Sequence, residues 1–257
     1  MSDRLSRSER FERIVAELRA SATVRISALA DAFGVSTETV RRDIDELSRR
    51  GLVDRTYGGA AARAMAREPA VNERHRLLVE ERSRIGATAA ALVEPGDVLM
   101  IDSGSTTTHF ARRLAATGSG LTVLTNCIAV ALALGQNPGV RVIVCPGDYD
   151  PREGGTFGAE TAAFLRGFHA DKVFMGASGL TAEGPVEANS AANWVKRAMT
   201  ERAERHLLLV DKTKFEARSL ERVCPLSNID DVVADAAPGR ALREALADAG
   251  VAFHLAE

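Results

Sequence analysis

Apolar residues recur at helical spacing near the start of the chain and in short strand-like runs through the remainder, so two kinds of architecture are expected in succession. Phe11, Ile14, Val15 and Leu18 make one stripe of a helix over residues 4–20. Leu29, Ala30 and Phe33 share a face of a second helix, and Val40, Ile44 and Leu47 repeat at i, i+4, i+7 on a third. Gly34 stands between those two as a tight turn, and Ser27 and Ser36 occupy positions where an N-cap oxygen is expected. Gly51 to Gly59 then offers two short β-type runs ending at a double glycine, the pattern of a small wing.

What this unit turns outward points to nucleic acid. With Val40, Ile44 and Leu47 inward, Arg42 and Glu38 fall nearly opposite, and Ser36, Thr37 and Thr39 crowd the helix start. Hydroxyls and arginine there suit phosphates and base edges in a major groove. A plain corner of two helices with a solvated charged face shares the helix–Gly–helix pattern. The two caps, the paired apolar faces and the wing favour a winged helix-turn-helix.

The run V-S-T-E-T-V-R-R-D-I-D-E-L-S-R-R-G-L-V-D-R-T-Y-G-G-A is similar to the N-terminal signature of the DeoR family of bacterial transcriptional regulators. That resemblance implies recognition residues at Ser36, Thr37, Thr39, Arg41 and Arg42; Arg55, on the wing, completes the candidate DNA-binding set. Tyr57 stands where many relatives carry His.

From residue 80 onward, helices expected at 80–93, 109–116, 128–134 and 192–203 alternate with short apolar runs. Those runs cover 98–102, 121–126, 140–145, 172–175, 207–210, 232–234 and 251–254. Such alternation predicts an α/β domain with a mainly parallel sheet covered on both faces. The expected division is a DNA-binding domain over 1–60, a linker over 61–72 ending past Pro69, and a larger domain over 73–257.

In an open parallel sheet, ligands bind beyond the carboxyl ends of the strands. The first such end reads Asp102-Ser103-Gly104-Ser105-Thr106-Thr107, where glycine and hydroxyls at a helix start make either an anion cradle or an ordinary Ser/Thr cap. It lacks the spacing of a Walker A loop. Asn126, Gly147, Asp148, Ser178 and Lys214 stand at further strand ends, and together these groups suit a sugar-phosphate pocket. From about 70 to 235 the chain also resembles the effector-sensing half of DeoR-family regulators, similar in fold to ribose-5-phosphate isomerase and glucosamine-6-phosphate deaminase. The resemblance implies a sensor of a phosphorylated sugar or related metabolite, matching at Asp102 to Thr107, Asn126, Gly147, Asp148, Gly176, Ser178, Gly179, Asp211 and Lys214. Many relatives carry several acids where this chain reads Pro185 to Trp194, and Trp194 is expected to pack on a helix face.

Composition narrows the function classes. With a net charge of −2 the chain is no polycation, and residues 1–60 hold 11 Arg against 10 Asp and Glu, so DNA contact is expected to be local and made by a homodimer or homotetramer. Cys127, Cys145 and Cys224 lie far apart, with no zinc-type or disulfide spacing, and read as buried small residues. No metal or cofactor is expected. His109 could touch a ligand, whereas His75, His169, His206 and His254 read as surface or packing residues. No apolar run approaches a membrane span and no signal-type segment opens the chain, so a cytoplasmic protein is expected. Against 29 arginines the four lysines, Lys172, Lys196, Lys212 and Lys214, stand out as positions where a compact charge is wanted. An enzyme is the alternative: aldose–ketose chemistry needs a carboxylate base, and where the related enzymes carry an acid this chain has Gly176-Ala177-Ser178-Gly179. Only Asp148, Asp150 or Glu187 could replace it, so no catalytic residue is expected.

Overall fold

The structure, a computed structural model, describes residues 7–20, 23–49, 53–56, 58–62 and 69–257. The chain divides into two compact units, Met1–Arg67 and Glu68–Glu257.

The first unit comprises α1 (Arg7–Ala20), β1 (Thr23–Arg25), α2 (Ile26–Phe33), α3 (Thr37–Arg49), β2 (Val53–Thr56) and β3 (Gly59–Ala62). Its core holds Ile14, Leu29, Ala30, Phe33, Val40, Ile44 and Leu47, from the inward sets that the helical periods select, together with Ile26 and Val53. Gly34 ends α2 in the left-handed region at φ 64°, its N–H returning to Ala30 and Asp31 carbonyls. Ser36 caps α3, since its Oγ accepts from the Thr39 N–H at 3.2 Å. Ser27 does not cap α2. It lies inside the helix, which starts straight from β1, and the free Ile26 N–H is satisfied by the Gly58 carbonyl at 3.0 Å instead. The reason is an unforeseen strand: β1 pairs with β3, giving a three-stranded antiparallel sheet in the order β1-β3-β2. An added Cβ on Gly59 would stand 2.1 Å from the Val24 carbonyl oxygen, so this pairing requires glycine. Residues 4–6, 50–52, Tyr57, the 63–68 part of the linker and the side chains of Val15 and Leu18 lie outside the described residues.

The second unit opens with α4 (Val71–Arg74) and α5 (Val79–Ala90), then alternates β4 (Val98–Ile101), α6 (Ser105–Thr117), β5 (Leu121–Thr125), α7 (Ile128–Leu134) and β6 (Val140–Val144). Next come a hairpin of β7 (Asp148–Asp150) and β8 (Gly155–Phe157), α8 (Ala159–Arg166) and β9 (Ala170–Met175). The chain continues through β10 (Gly179–Thr181), β11 (Gly184–Glu187), α9 (Ser190–Thr200) and β12 (Ala203–Val210). It closes with β13 (Glu221–Arg222), β14 (Asp231–Ala234), α10 (Arg240–Asp248) and β15 (Ala252–Leu255). Seven strands form one parallel sheet in the order β15-β14-β12-β9-β4-β5-β6.

Alternation along the strands sets the two faces. Leu99, Ile101, Val123, Phe174, Leu207, Leu209 and Val233 point toward α5, α6 and α7. Met100, Leu124 and Val173 meet α8 and α9, while Leu208, Val210, Val232 and Ala234 meet Leu242 and Leu246 of α10. Phe110 of α6 stacks on Phe174 with ring centroids 4.2 Å apart. Gly86 lets α5 come close, for a Cβ there would lie 2.8 Å from the Phe110 nitrogen. The hairpin, α8, the small antiparallel sheet β10-β11-β13 and α10 are absent from the expected element list, because their apolar runs are two to four residues long or broken by Ala and charge. Helix α6 begins at Ser105 rather than near His109; Thr107 and Thr108 hydroxyls bond back to the Asp102 and Gly104 carbonyls, which ties a Ser/Thr run into a helix start. All three cysteines are free and buried.

Candidate functional site

On α3 the outward surface is a loose charged array. Ser36, Thr37, Arg41 and Arg42 are exposed and Thr39 is half-buried. Glu38 sits between the two arginines, its Oε1 3.4 Å from Arg42 Nε and its Oε2 3.7 Å from Arg41 Nη1. Such exposed pairs are worth under about 1 kcal/mol, so both guanidiniums can leave Glu38 for a phosphate or a base edge. The Ser36 and Thr39 hydroxyls lie 2.9 Å apart at the helix start. Arg55 on β2 reaches Asp45 of α3 at 2.8 Å, fixing the wing to this helix. Inside, Asp43 receives Arg10 in a two-toothed pair at 2.6 and 3.2 Å, which sets the register of α1 against α3.

In the second unit the chain order along the sheet reverses between β4 and β9: β4 leads outward to β5 and β6, β9 the other way to β12, β14 and β15. A crevice forms beyond the strand ends at such a switch point. The cleft found there spans about 470 Å³ when the open solvent at its mouth is counted, and Ser103, Gly104, Ser105, Thr106 and Thr107 form one wall. Lys214, from the short 3-10 turn Lys212–Lys214 after β12, stands on the rim. Helix α6 has Gly104 at its N-cap and no side-chain cap, so its first N–H groups face the cleft without an acceptor. The hydroxyls of Ser103, Ser105 and Thr106 hydrogen-bond to no described residue, whereas Thr107 is committed to the Asp102 and Gly104 carbonyls.

The remaining candidate positions are placed differently. Asp102 is buried under the cleft floor, with Oδ1 accepting from the Gly176 N–H at 3.2 Å. Asn126 is buried and donates to the Thr156 carbonyl at 3.0 Å. Gly147 and Asp148 belong to the start of the β7–β8 hairpin and do not line the cleft; Gly147 serves packing, since a Cβ there would meet Thr161 and the Phe157 carbonyl. Ser178 donates to Glu187 Oε1 at 2.7 Å and so orients a cleft residue rather than facing the cleft itself.

Five charged cleft residues lay outside the candidate set: Arg74, Arg82, Glu153, Glu187 and Lys196. Lys196, on α9, is 5% exposed and sits 2.5 Å from Asp102 Oδ2 and 3.2 Å from Glu187 Oε2. Burial pushes the Asp102 carboxyl up to about 6, against the opposing pull of Lys196. Burial lowers Lys196, but Asp102 and Glu187 outweigh it and hold the ammonium above its usual value. Scarcity of lysine was the one sequence signal for Lys196, and it equally marks Lys172, whose buried 2.6 Å pair with Asp97 is structural. Arg82 is spent on Asp211 at 3.0 Å and on the carbonyls of Arg74 and Leu77.

His109 does not line the cleft: its Nδ1 lies 3.2 Å from Ser83 Oγ, and burial, then Arg112, His75 and Arg82, lower its pKa to about 4. The expected packing of Trp194 is overturned. The residue is 56% exposed, with the Arg197 guanidinium 5.6 Å from the ring centroid, because α9 turns Ala192 and Lys196 inward instead. Among the described residues no cluster could hold a metal ion and no helix is long and apolar enough to cross a membrane.

Comparison with known proteins finds one match in each unit. Residues 10–64 match the DeoR-like helix-turn-helix domain and residues 78–236 the DeoR C terminal sensor domain. The chain is similar to the glycerol-3-phosphate regulon repressor of Escherichia coli (strain K12), 29% identical over 98% of this chain and 100% of that protein. It is 30% identical to the HTH-type transcriptional repressor CsqR of the same strain, over 96% and 95%. It is 27% identical to the HTH-type transcriptional repressor GlcR of Bacillus subtilis (strain 168), over 97% and 96%. Among solved structures, a D-ribose-5-phosphate isomerase in complex with phospho-erythronic acid shares 19% identity over 53% of this chain and 54% of that chain, at a TM-score of 0.40, too loose to transfer any residue role. With both of its halves matched in order, the chain belongs to the DeoR family of helix-turn-helix transcriptional regulators.

Proposed function

We propose that the protein is a repressor of a carbohydrate operon whose grip on operator DNA is controlled by a phosphorylated sugar, or related metabolite, held in the cleft of the second unit. The observation that carries this reading is the uncapped start of α6 beside the unspent hydroxyls of Ser103, Ser105 and Thr106, in a cleft that also holds Lys214 and Lys196. Freed N–H groups at a helix start, with lysine near, suit a phosphate. Glu187 and the hydroxyls suit sugar OH groups.

DNA contact falls to Ser36, Thr37, Thr39, Arg41 and Arg42 of α3 and to Arg55 of the wing. Because the unit carries little net charge, two copies in a homodimer or homotetramer, reading two half-sites about one DNA turn apart, supply the affinity. A coupling of about 1–3 kcal/mol between sites changes operator occupancy several-fold or more. The chain works in the cytoplasm, where operator and sugar phosphates are. A turnover role for Glu187 is disfavoured: its Oε1 accepts from Ser178 and the Ala188 N–H, and its Oε2 faces Lys196, so this carboxylate is not placed to take a proton from carbon.

Thermal-shift screening of the full chain against pentose and hexose phosphates, then operator binding with each hit, tests the reading. Lys214→Ala and Thr106→Ala are expected to spare DNA binding and blunt the thermal shift; an unchanged shift in both places the pocket elsewhere.

A further inference from the structure

The first described residues after the connection to the DNA-binding unit are fastened to the cleft. Residues 63–68 carry the chain to Pro69, and α4 follows within two residues. Three attachments join α4 to the turn between β7 and β8. The Val71 N–H donates to the Arg152 carbonyl at 2.7 Å. The Val71 side chain is seated on Gly154, where an added Cβ would come within 3.0 Å of Val71 Cγ1. Arg74 Nη2 lies 2.6 Å from Glu153 Oε2, with 11% and 18% of these side chains exposed. Arg74 and Glu153 both line the cleft, and the turn beyond them is tied to the connection between β5 and α7, since the Ile128 N–H bonds the Gly154 carbonyl and the Thr156 N–H the Asn126 carbonyl.

Two of the attachments are neutral and fixed by packing. The third is an ion pair that any anion in the same cleft opposes. The Arg74 guanidinium, 11% exposed at the cleft wall, can exchange the Glu153 carboxylate for a dianionic oxyanion, because both present the same fork of acceptors. Arg82 cannot play this part, being buried against Asp211 and two carbonyls.

From this geometry we propose that Arg74 is the relay between cleft and DNA-binding unit: Glu153 holds it when the cleft is empty, a bound oxyanion draws it away, and α4 then loosens from the 150–154 turn at the point where the connecting segment enters. The proposal rests on the anionic-effector reading above and adds to it the residue that transmits occupancy. Loss of the Arg74–Glu153 pair by any route should have the same consequence as the ligand.

Glu153→Gln in the full chain therefore tests the relay with no ligand present. The DNA is a duplex enriched from random sequence by the wild-type chain, and the readouts are DNA affinity and amide exchange over residues 70–78. Weaker DNA binding, on the order of ten-fold, with faster exchange in that segment and an unchanged melting profile elsewhere, is the expected result. Arg74→Gln should loosen the same amides and, in addition, reduce the thermal shift given by inorganic phosphate, glucose 6-phosphate or ribose 5-phosphate. If Glu153→Gln keeps wild-type exchange and wild-type DNA affinity, the relay is wrong. Failure of the anionic-effector reading shows elsewhere, as a wild-type chain whose melting none of the three phosphates moves.

Discussion

Lys196 on α9 places its ammonium 2.5 Å from the Asp102 carboxylate at the end of β4, so one buried cation joins the helix behind the sheet to the loop that opens α6. With Glu187 as its second partner, this lysine balances two acids in the cleft floor. Removing one partner of a buried pair leaves an uncompensated charge, which costs about 3–5 kcal/mol. Lys196→Met should lower unfolding free energy by about that amount in urea titration, whereas Asp102→Asn, which leaves Glu187 to hold the lysine, should cost less. Equal losses would show that the two acids do not share the cation.

Acid sensitivity should split by residue. Asp102 is raised to about 6, so its contribution to stability is complete below the ordinary carboxyl value of 3.8 and is lost as pH rises through 6. His109 is lowered to about 4, so its contribution is complete above 6.5 and is lost as pH falls through 4. Urea midpoints taken between pH 4 and 7 should therefore lose a falling slope in Asp102→Asn and a rising slope in His109→Asn. Slopes unchanged from wild type would remove both residues as causes.

The glycines around the cleft are not equivalent. At Gly155 a Cβ would lie 2.8 Å from the Asn126 carbonyl and 2.9 Å from Ser103 Cβ, while at Gly176 the nearest atom is 3.9 Å away. Gly155→Ala should destabilise by about 1–3 kcal/mol through overpacking and weaken phosphate binding; Gly176→Ala should fold as wild type. Calorimetric melting of the two variants separates them.

On the DNA side, Arg42 extends with 76% of its side chain exposed and, among the described residues, only Glu38 as a partner. Arg42→Ala should cost about 1–3 kcal/mol of operator affinity if it reads a base, or lower the salt slope by about one if it meets a phosphate. In either case thermal stabilisation by sugar phosphate should persist. Fluorescence anisotropy at several salt concentrations distinguishes the two, and loss of both functions together would contradict a division of labour between the units.

Much of this was legible before folding. The inward sets Leu29, Ala30, Phe33 and Val40, Ile44, Leu47 form the first core as their spacing requires, Gly34 makes the turn, and Ser36 caps α3. The seven apolar runs that form the sheet and the hydroxyl-bearing start of α6 were visible too. Helical and strand periods are local: each records only which side of an element meets water, and neighbouring residues carry that information.

What tertiary structure alone decided is which distant groups meet. Ser27 lost its cap role because β1 pairs with β3, a contact no period announces. The ion pairs that finish the cleft join Arg74 to Glu153 across 79 residues and Arg82 to Asp211 across 129, and Lys196 reaches Asp102 from another layer. These contacts exist because the chain order reverses between β4 and β9, bringing the ends of β4, β9 and β12 side by side. A charged residue carries no mark of its partner in its own neighbourhood, since attraction between charges is fixed by distance in space and not by separation along the chain.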